Sequence, residues 1–208
     1  MKLRRFTSLS IEAPVIFLLA FAALGASAPL NRSDFRSDMR KLWEDHITWT
    51  RLYIVSAVAD LPDKDATAKR LLQNQVDIGN AVKSFYGEAA GDKLAALLKD
   101  HILIAVDIID AAKKGEAAKK DAAVNRWTAN ADDIATFLSG ANPKHWPVTE
   151  MKKMMREHLD LTTAELVAHL QKDGPADVAA YDKVHRAILM MADMLSSGIS
   201  AQFPARFK

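Results

Sequence analysis

Cysteine is absent from this 208-residue chain, which excludes disulfides and thiolate ligands and leaves nitrogen, oxygen and thioether donors for any metal it holds. Strand-type alternation is nearly missing, which argues against an all-β or α/β fold. Glycine and proline are scarce, at eight and seven residues, and they gather at a few breaks. An excess of charge of either sign is lacking too: 28 basic residues face 26 acidic ones, and residues 29–208 carry 25 of each. Without a basic stripe to grip a phosphate backbone, no nucleic-acid partner is expected. There is no glycine-rich phosphate loop, no nucleophile motif and no spaced pair of Glu-x-x-His motifs. These absences argue against nucleotide enzymes, common hydrolases and di-iron oxidases.

Long apolar runs are lacking as well. The run over residues 13–26 is shorter than a confident membrane span requires. It is preceded by Lys2, Arg4 and Arg5 and followed by Ala26-Ser27-Ala28, the order of a secretory signal. Residues 1–28 are therefore expected to be a signal peptide and residues 29–208 a helical-bundle domain exported to the periplasm or the exterior. Cleavage after Ala28 would place Pro29 first, an unfavourable start. A cut after Gly25, or an uncleaved segment acting as a membrane anchor, is the alternative.

What the chain does have is helical periodicity. Apolar residues recur at steps of three and four through almost all of residues 29–208. The pattern is interrupted at Pro62-Asp63, Gly87 and Gly91, Gly115, residues 140–147, and Gly174-Pro175. The spacing predicts six helices, roughly 34–59, 65–86, 91–114, 117–139, 149–172 and 176–201. The expected fold is all-α, a single up-and-down bundle of about six helices. A weak internal repeat runs through it. Asn74-Gln75-Val76-Asp77-Ile78-Gly79 matches Asn130-Ala131-Asp132-Asp133-Ile134-Ala135 fifty-six positions later, and Asp100-His101-Ile102 matches Glu157-His158-Leu159 fifty-seven later. The second and third helices then read as a duplicate of the fourth and fifth, with the outer helices completing each unit in permuted order.

Histidines stand out on the apolar faces. On the first helix His46 shares a face with Met39, Leu42, Trp49 and Tyr53; on the third, His101 lies among Leu94, Leu97, Leu98 and Ile108. On the fifth, Met151, Met154, Met155, His158, Thr162, Glu165 and His169 make one stripe, and on the sixth His185 sits at the edge of Tyr181, Val184 and Ile188. His145, in the proline-containing loop, reads as exposed. Several inward imidazoles satisfy one another poorly, because each needs both a donor and an acceptor met. A divalent transition metal such as zinc, copper or iron would take one nitrogen from each ring. The candidate ligands are His46, His101, His158, Glu165, His169 and His185. His158 and His169 lie about 16 Å apart along one axis and cannot share an ion.

Two further readings compete with the metal. The histidines can instead be ordinary core residues bonded to Thr50, Tyr53, Thr162 or Tyr181, in a cofactor-free structural or protein-interaction bundle. A metal-dependent enzyme with Glu165 as base is the least favoured reading. Met151, Met154 and Met155, with Met190, Met191 and Met194, offer thioethers that would suit copper, although such methionines commonly fill core gaps.

The segments Leu42-Trp43-Glu44-Asp45-His46 with Trp49-Thr50-Arg51, Asp100-His101, Glu157-His158-Leu159 and Gln202-Phe203-Pro204 carry a likeness. Through them most of the chain beyond residue 28 resembles an uncharacterised family of small bacterial helical-bundle proteins. Members sometimes bear the name glycosyltransferase, which these residues do not support. The resemblance implies the helical fold and supplies no activity.

Overall fold

The computed structural model describes residues 29–208; the expected signal segment lies outside them. Asn31 opens the first helix, its side-chain oxygen accepting from the amides of Ser33 and Asp34. Six helices follow among the described residues: α1 (Arg32–Val58), α2 (Lys64–Tyr86), α3 (Glu88–Lys113), α4 (Ala117–Ala141), α5 (Val148–Leu170) and α6 (Gly174–Gln202). Asp173 caps α6 by accepting from the Ala176 amide, with Pro175 in the first turn, where its missing N–H costs nothing. Gly87 and Gly115 take positive φ of 85° and 70° at the α2–α3 and α3–α4 junctions, a conformation that glycine adopts without strain. Gly91, expected to be a break, lies inside α3. The described residues hold no strand beyond an isolated bridge between Leu30 and Phe207, and none of their helices is long and apolar enough to cross a membrane.

Short connections make chain neighbours antiparallel, so α1, α3 and α5 run one way and α2, α4 and α6 the other. Each helix packs on the next, and α6 returns to α1, closing a ring in which α1 also touches α3 and α5 across the middle. On the outside, Arg36 and Arg40 both pair with Asp193 and clamp α1 to α6. These two guanidiniums hold the Asp193 carboxyl well below the usual carboxylate range.

The repeat is a helical hairpin used three times. On the first helix of each hairpin, Met39, Leu94 and Met151 are equivalent, as are Trp43, Leu98 and Met155, then His46, His101 and His158, and then Ile54, Ile109 and Leu166; all twelve are buried. On the second helix, Leu71, Trp127 and Val184 match, as do Ile78, Ile134 and Met191, and all six are again buried. The expected duplication captured two parts of a threefold pattern. Its unit is α1–α2, then α3–α4, then α5–α6, so the outer helices belong to ordinary hairpins and no permutation is needed.

One equivalent position is small in all three hairpins. Gly79, Ala135 and Ala192 occupy it, all buried. A Cβ on Gly79 would lie 2.6 Å from the Gly91 carbonyl oxygen and 2.7 Å from Ala95 Cβ. Gly79→Ala would gain about 1 kcal/mol of helix propensity, but overpacking against backbone costs up to about 3 kcal/mol. We expect a net loss of about 1 to 2 kcal/mol and a midpoint lower by about 2 to 8 °C in calorimetry. A higher midpoint would mean that α2 and α3 are not in backbone contact.

Candidate functional site

The ring order decides which histidines meet. His46, His101 and His158 stand near the middle of α1, α3 and α5, on the faces turned to the centre. The His46 and His158 ring centroids are 5.7 Å apart, and those of His101 and His158 are 6.1 Å apart and nearly parallel. Trp127 lies 5.0 Å from the His101 ring, and Trp43 meets His46 edge-on at 5.8 Å. Beside the rings, on the side of Ile54, Ile109 and Leu166, is a cavity of about 30 Å³ that Thr50, Trp127 and Thr162 also line, large enough to hold a water molecule.

Burial, the largest cause, drives all three imidazoles to the neutral form. It lowers His101 to about 3, helped by the neighbouring His158 against a hydrogen bond to Asn130. His158 falls to about 4 by burial. His46 is pushed well below its usual value by burial and then by His158 and His101, with Gln75 opposing.

Amides from the neighbouring helix orient two of the rings. Asn130 on α4 donates its Nδ2 to the Leu97 carbonyl at 3.1 Å, which fixes the amide so that Oδ1 faces His101 Nδ1 at 2.8 Å. An oxygen there requires His101 to carry its proton on Nδ1, leaving a lone pair on Nε2. Asn74 on α2 makes the equivalent bond to the Leu42 carbonyl at 3.0 Å, and Gln75 Nε2 lies 3.3 Å from His46 Nδ1. The threonine and tyrosine partners expected from the sequence do not serve here. Thr50 donates back to the His46 carbonyl of its own helix. Among the described residues, the unpartnered buried polar atoms other than Arg70 Nη1 gather around the three rings: His101 Nε2, Thr162 Oγ1 and Trp127 Nε1, with Trp43 Nε1 and Gln75 Oε1 beside His46 and His158 Nδ1 on the α6 side. Each such atom costs about 1 to 3 kcal/mol unless met.

The other candidates lie elsewhere. Glu165 and His169 do not join the imidazoles. Arg51 on α1 donates to Glu165 at 2.7 Å and to Asp177 on α6 at 2.8 Å, while His169 Nδ1 sits 2.9 Å from Asp177. Burial raises the Glu165 carboxyl, with Arg51 opposing. Burial also pushes Asp177 upward, but the bonds from Arg51 and His169 outweigh it and leave Asp177 below the usual range. The cluster is thus an internal ion-pair network, and Glu165 is tied up as a counter-ion, not free as a base. Its signal was available in Arg51, the one charged residue on the otherwise uncharged stretch 46–59 of α1. His185 does not reach the core; it pairs with Glu44 at the surface at 2.9 Å. His145 is half-buried in the α4–α5 loop.

Among the described residues no group of three or more His, Asp or Glu side chains stands in an arrangement that could hold an ion as it is. Comparison with protein-family models, with curated proteins and with solved structures finds no match to this chain.

Acid should expose the buried rings. Their folded-state pKa values lie below the ordinary imidazole value of 6.5, so the unfolded chain binds more protons throughout the interval between. The stability that comes from keeping them neutral is fully present above about pH 6.5 and is lost as pH falls towards about 4 and then 3. Urea midpoints at pH 7.5, 5.5 and 4.5 should fall in the parent and fall less steeply in His101→Gln and His158→Gln. Equal slopes in parent and variants would place these rings in water.

Proposed function

We propose that the protein is an exported metal-binding bundle whose working part is the central chamber, with His46, His101 and His158 as ligands to a divalent transition ion. The observation that carries this reading is the lone pair of His101 Nε2, which is neutral, buried and without a partner, and whose tautomer is fixed from behind by Asn130. An outer-shell amide or carboxylate holding one imidazole nitrogen so that the other can coordinate is the usual support of a histidine metal ligand. Neutrality favours the same outcome, since a protonated ring cannot bind a cation. Three nitrogen ligands on a framework without thiolates suit zinc, copper or iron. The ion would draw the rings closer than they now stand, through side-chain rotation into the cavity, and would take the His46 Nδ1 lone pair from Gln75. Export rests on the sequence of residues 1–28. Glu165, His169 and His185 have no part in the site.

A second reading is favoured by a specific observation, the absence of a ready ion-holding group among the described residues. In that reading the rings are core residues held by Gln75 and Asn130, and the bundle works without a cofactor, as a structural or protein-interaction module.

Protein purified without a histidine tag would be assayed for bound metal, then melted with zinc or cobalt(II) and with chelator. At a hundredfold excess over the dissociation constant, an ion stabilises by about 2.7 kcal/mol. For a domain of this size the midpoint should rise by about 5 to 11 °C. His101→Gln and His158→Gln should lose this shift, while His169→Gln and His185→Gln retain it. A parent whose midpoint ignores zinc, cobalt, copper, iron and chelator alike is the outcome that selects the second reading.

A further inference from the structure

The three hairpins differ at one position that bears on a histidine. Asn74 and Asn130 are equivalent on α2 and α4, and the equivalent position on α6 is Ala187. The methyl group of Ala187 offers no hydrogen bond, and His158 Nδ1 is left without a partner although its residue is 95% buried. At this seam a pocket of about 190 Å³ opens between α5 and α6, lined by Glu150, Met154, Glu157, His158, Met190 and Met191 together with Ala187 and Lys153. Met154 stands one turn before His158 on α5, and Met190 and Met191 stand one turn after Ala187 on α6, so three thioethers and an unmet imidazole face the same space. Met190 is 59% exposed, which gap-filling in a core does not explain.

From this juxtaposition we infer a second binding site, in the α5–α6 seam, for a soft monovalent cation of the copper(I) class. Its ligands are His158 Nδ1 and the thioethers of Met154, Met190 and Met191. Thioether and imidazole together are the donors that such an ion prefers over harder divalent ones. Glu150 and Glu157 against the single Lys153 leave the mouth with one net negative charge, which favours a cation. The α3–α4 hairpin opens at the equivalent seam too, but there Leu97 and Asp133 stand in place of Met154 and Met190, and Asn130 already holds the histidine nitrogen. His158 lines both the seam and the central chamber, and a neutral imidazole has one lone pair to give, so the two sites cannot both draw on it at once.

Silver(I), which needs no reductant, is the probe, with copper(I) under ascorbate as the second arm. The parent protein, carbon-13 labelled at methionine methyls, should bind one silver ion and shift the signals of Met154, Met190 and Met191. Met190→Leu, at an exposed position, and Met154→Leu should each weaken binding by about tenfold or more, no less than loss of an outer-shell partner does. Ala187→Asn should restore the missing amide, engage His158 Nδ1 as Asn130 engages His101 Nδ1, and abolish silver binding while the protein melts no lower than the parent. Zinc titration of the parent reports on the chamber separately, so failure there leaves the seam result intact. Silver that shifts none of these three methionines, or that binds folded Ala187→Asn as tightly as the parent, would overturn the proposal.

Discussion

Three imidazoles are held uncharged at one level in the middle of a ring of six helices, and most of what is distinctive in the structure follows from that constraint. Removing a charged ring from water is so unfavourable that the rings surrender their protons instead, which is why His101 and His158 sit near 3 and 4. The neutral form then needs one donor and one acceptor met per ring. Surrounding aliphatic residues such as Ile54, Ile102 and Ile109 offer neither. The side chains that hydrogen-bond the rings come from the alternate helices, and they are amides anchored to backbone carbonyls. Asn130 illustrates the economy: one end fixes its orientation on α3, and the other end then dictates which nitrogen of His101 is protonated.

The hairpin repeat explains how three chain segments so far apart deliver the same group to the same place. With one hairpin packed beside the next and the last closing on the first, equivalent positions on α1, α3 and α5 necessarily face one another across the ring. A histidine at one such position in a repeating unit becomes three histidines around a centre. Gly79 serves the same geometry where one hairpin meets the next, letting α2 and α3 approach closely.

The helices and their ends were legible because periodic apolar faces and proline or glycine breaks are local signals. The location of His46, His101 and His158 on buried faces was legible for the same reason. Their meeting was not, because it depends on the order in which helices close the ring, and periodicity carries no information about neighbours. The spacing of 55 and 57 residues between these histidines does carry it, since it matches the repeat already visible at Asn74 and Asn130. Glu165 misled because a carboxylate on an apolar stripe invites a cation of any kind, and the cation it meets is Arg51 from another helix. His185 misled because it sits at the boundary of its stripe, where a rotation of a few tens of degrees separates core from surface.

The departures of the third hairpin from its two partners are more informative than the repeat itself. Where α1 and α3 carry Tyr53 and Ile108, α5 carries Glu165; where they carry Ala57 and Ala112, it carries His169; where α2 and α4 carry Asn74 and Asn130, α6 carries Ala187. A unit copied only to fill a core has no reason to accept a buried carboxylate that another helix must neutralise, or to drop an amide that a buried histidine needs. Local rules tend to be broken where function outweighs packing, and here the breaks all fall on the α5–α6 hairpin, Glu165 and His169 on α5 and Ala187 on α6. The Glu165 break is compensated in full by Arg51 and Asp177, which locks α1, α5 and α6 together. The Ala187 break is compensated by nothing in the fold. Rigidity at one end of the seam and an unmet imidazole at the other are what a binding site needs, and the two intact hairpins hold the rest of the ring fixed around it.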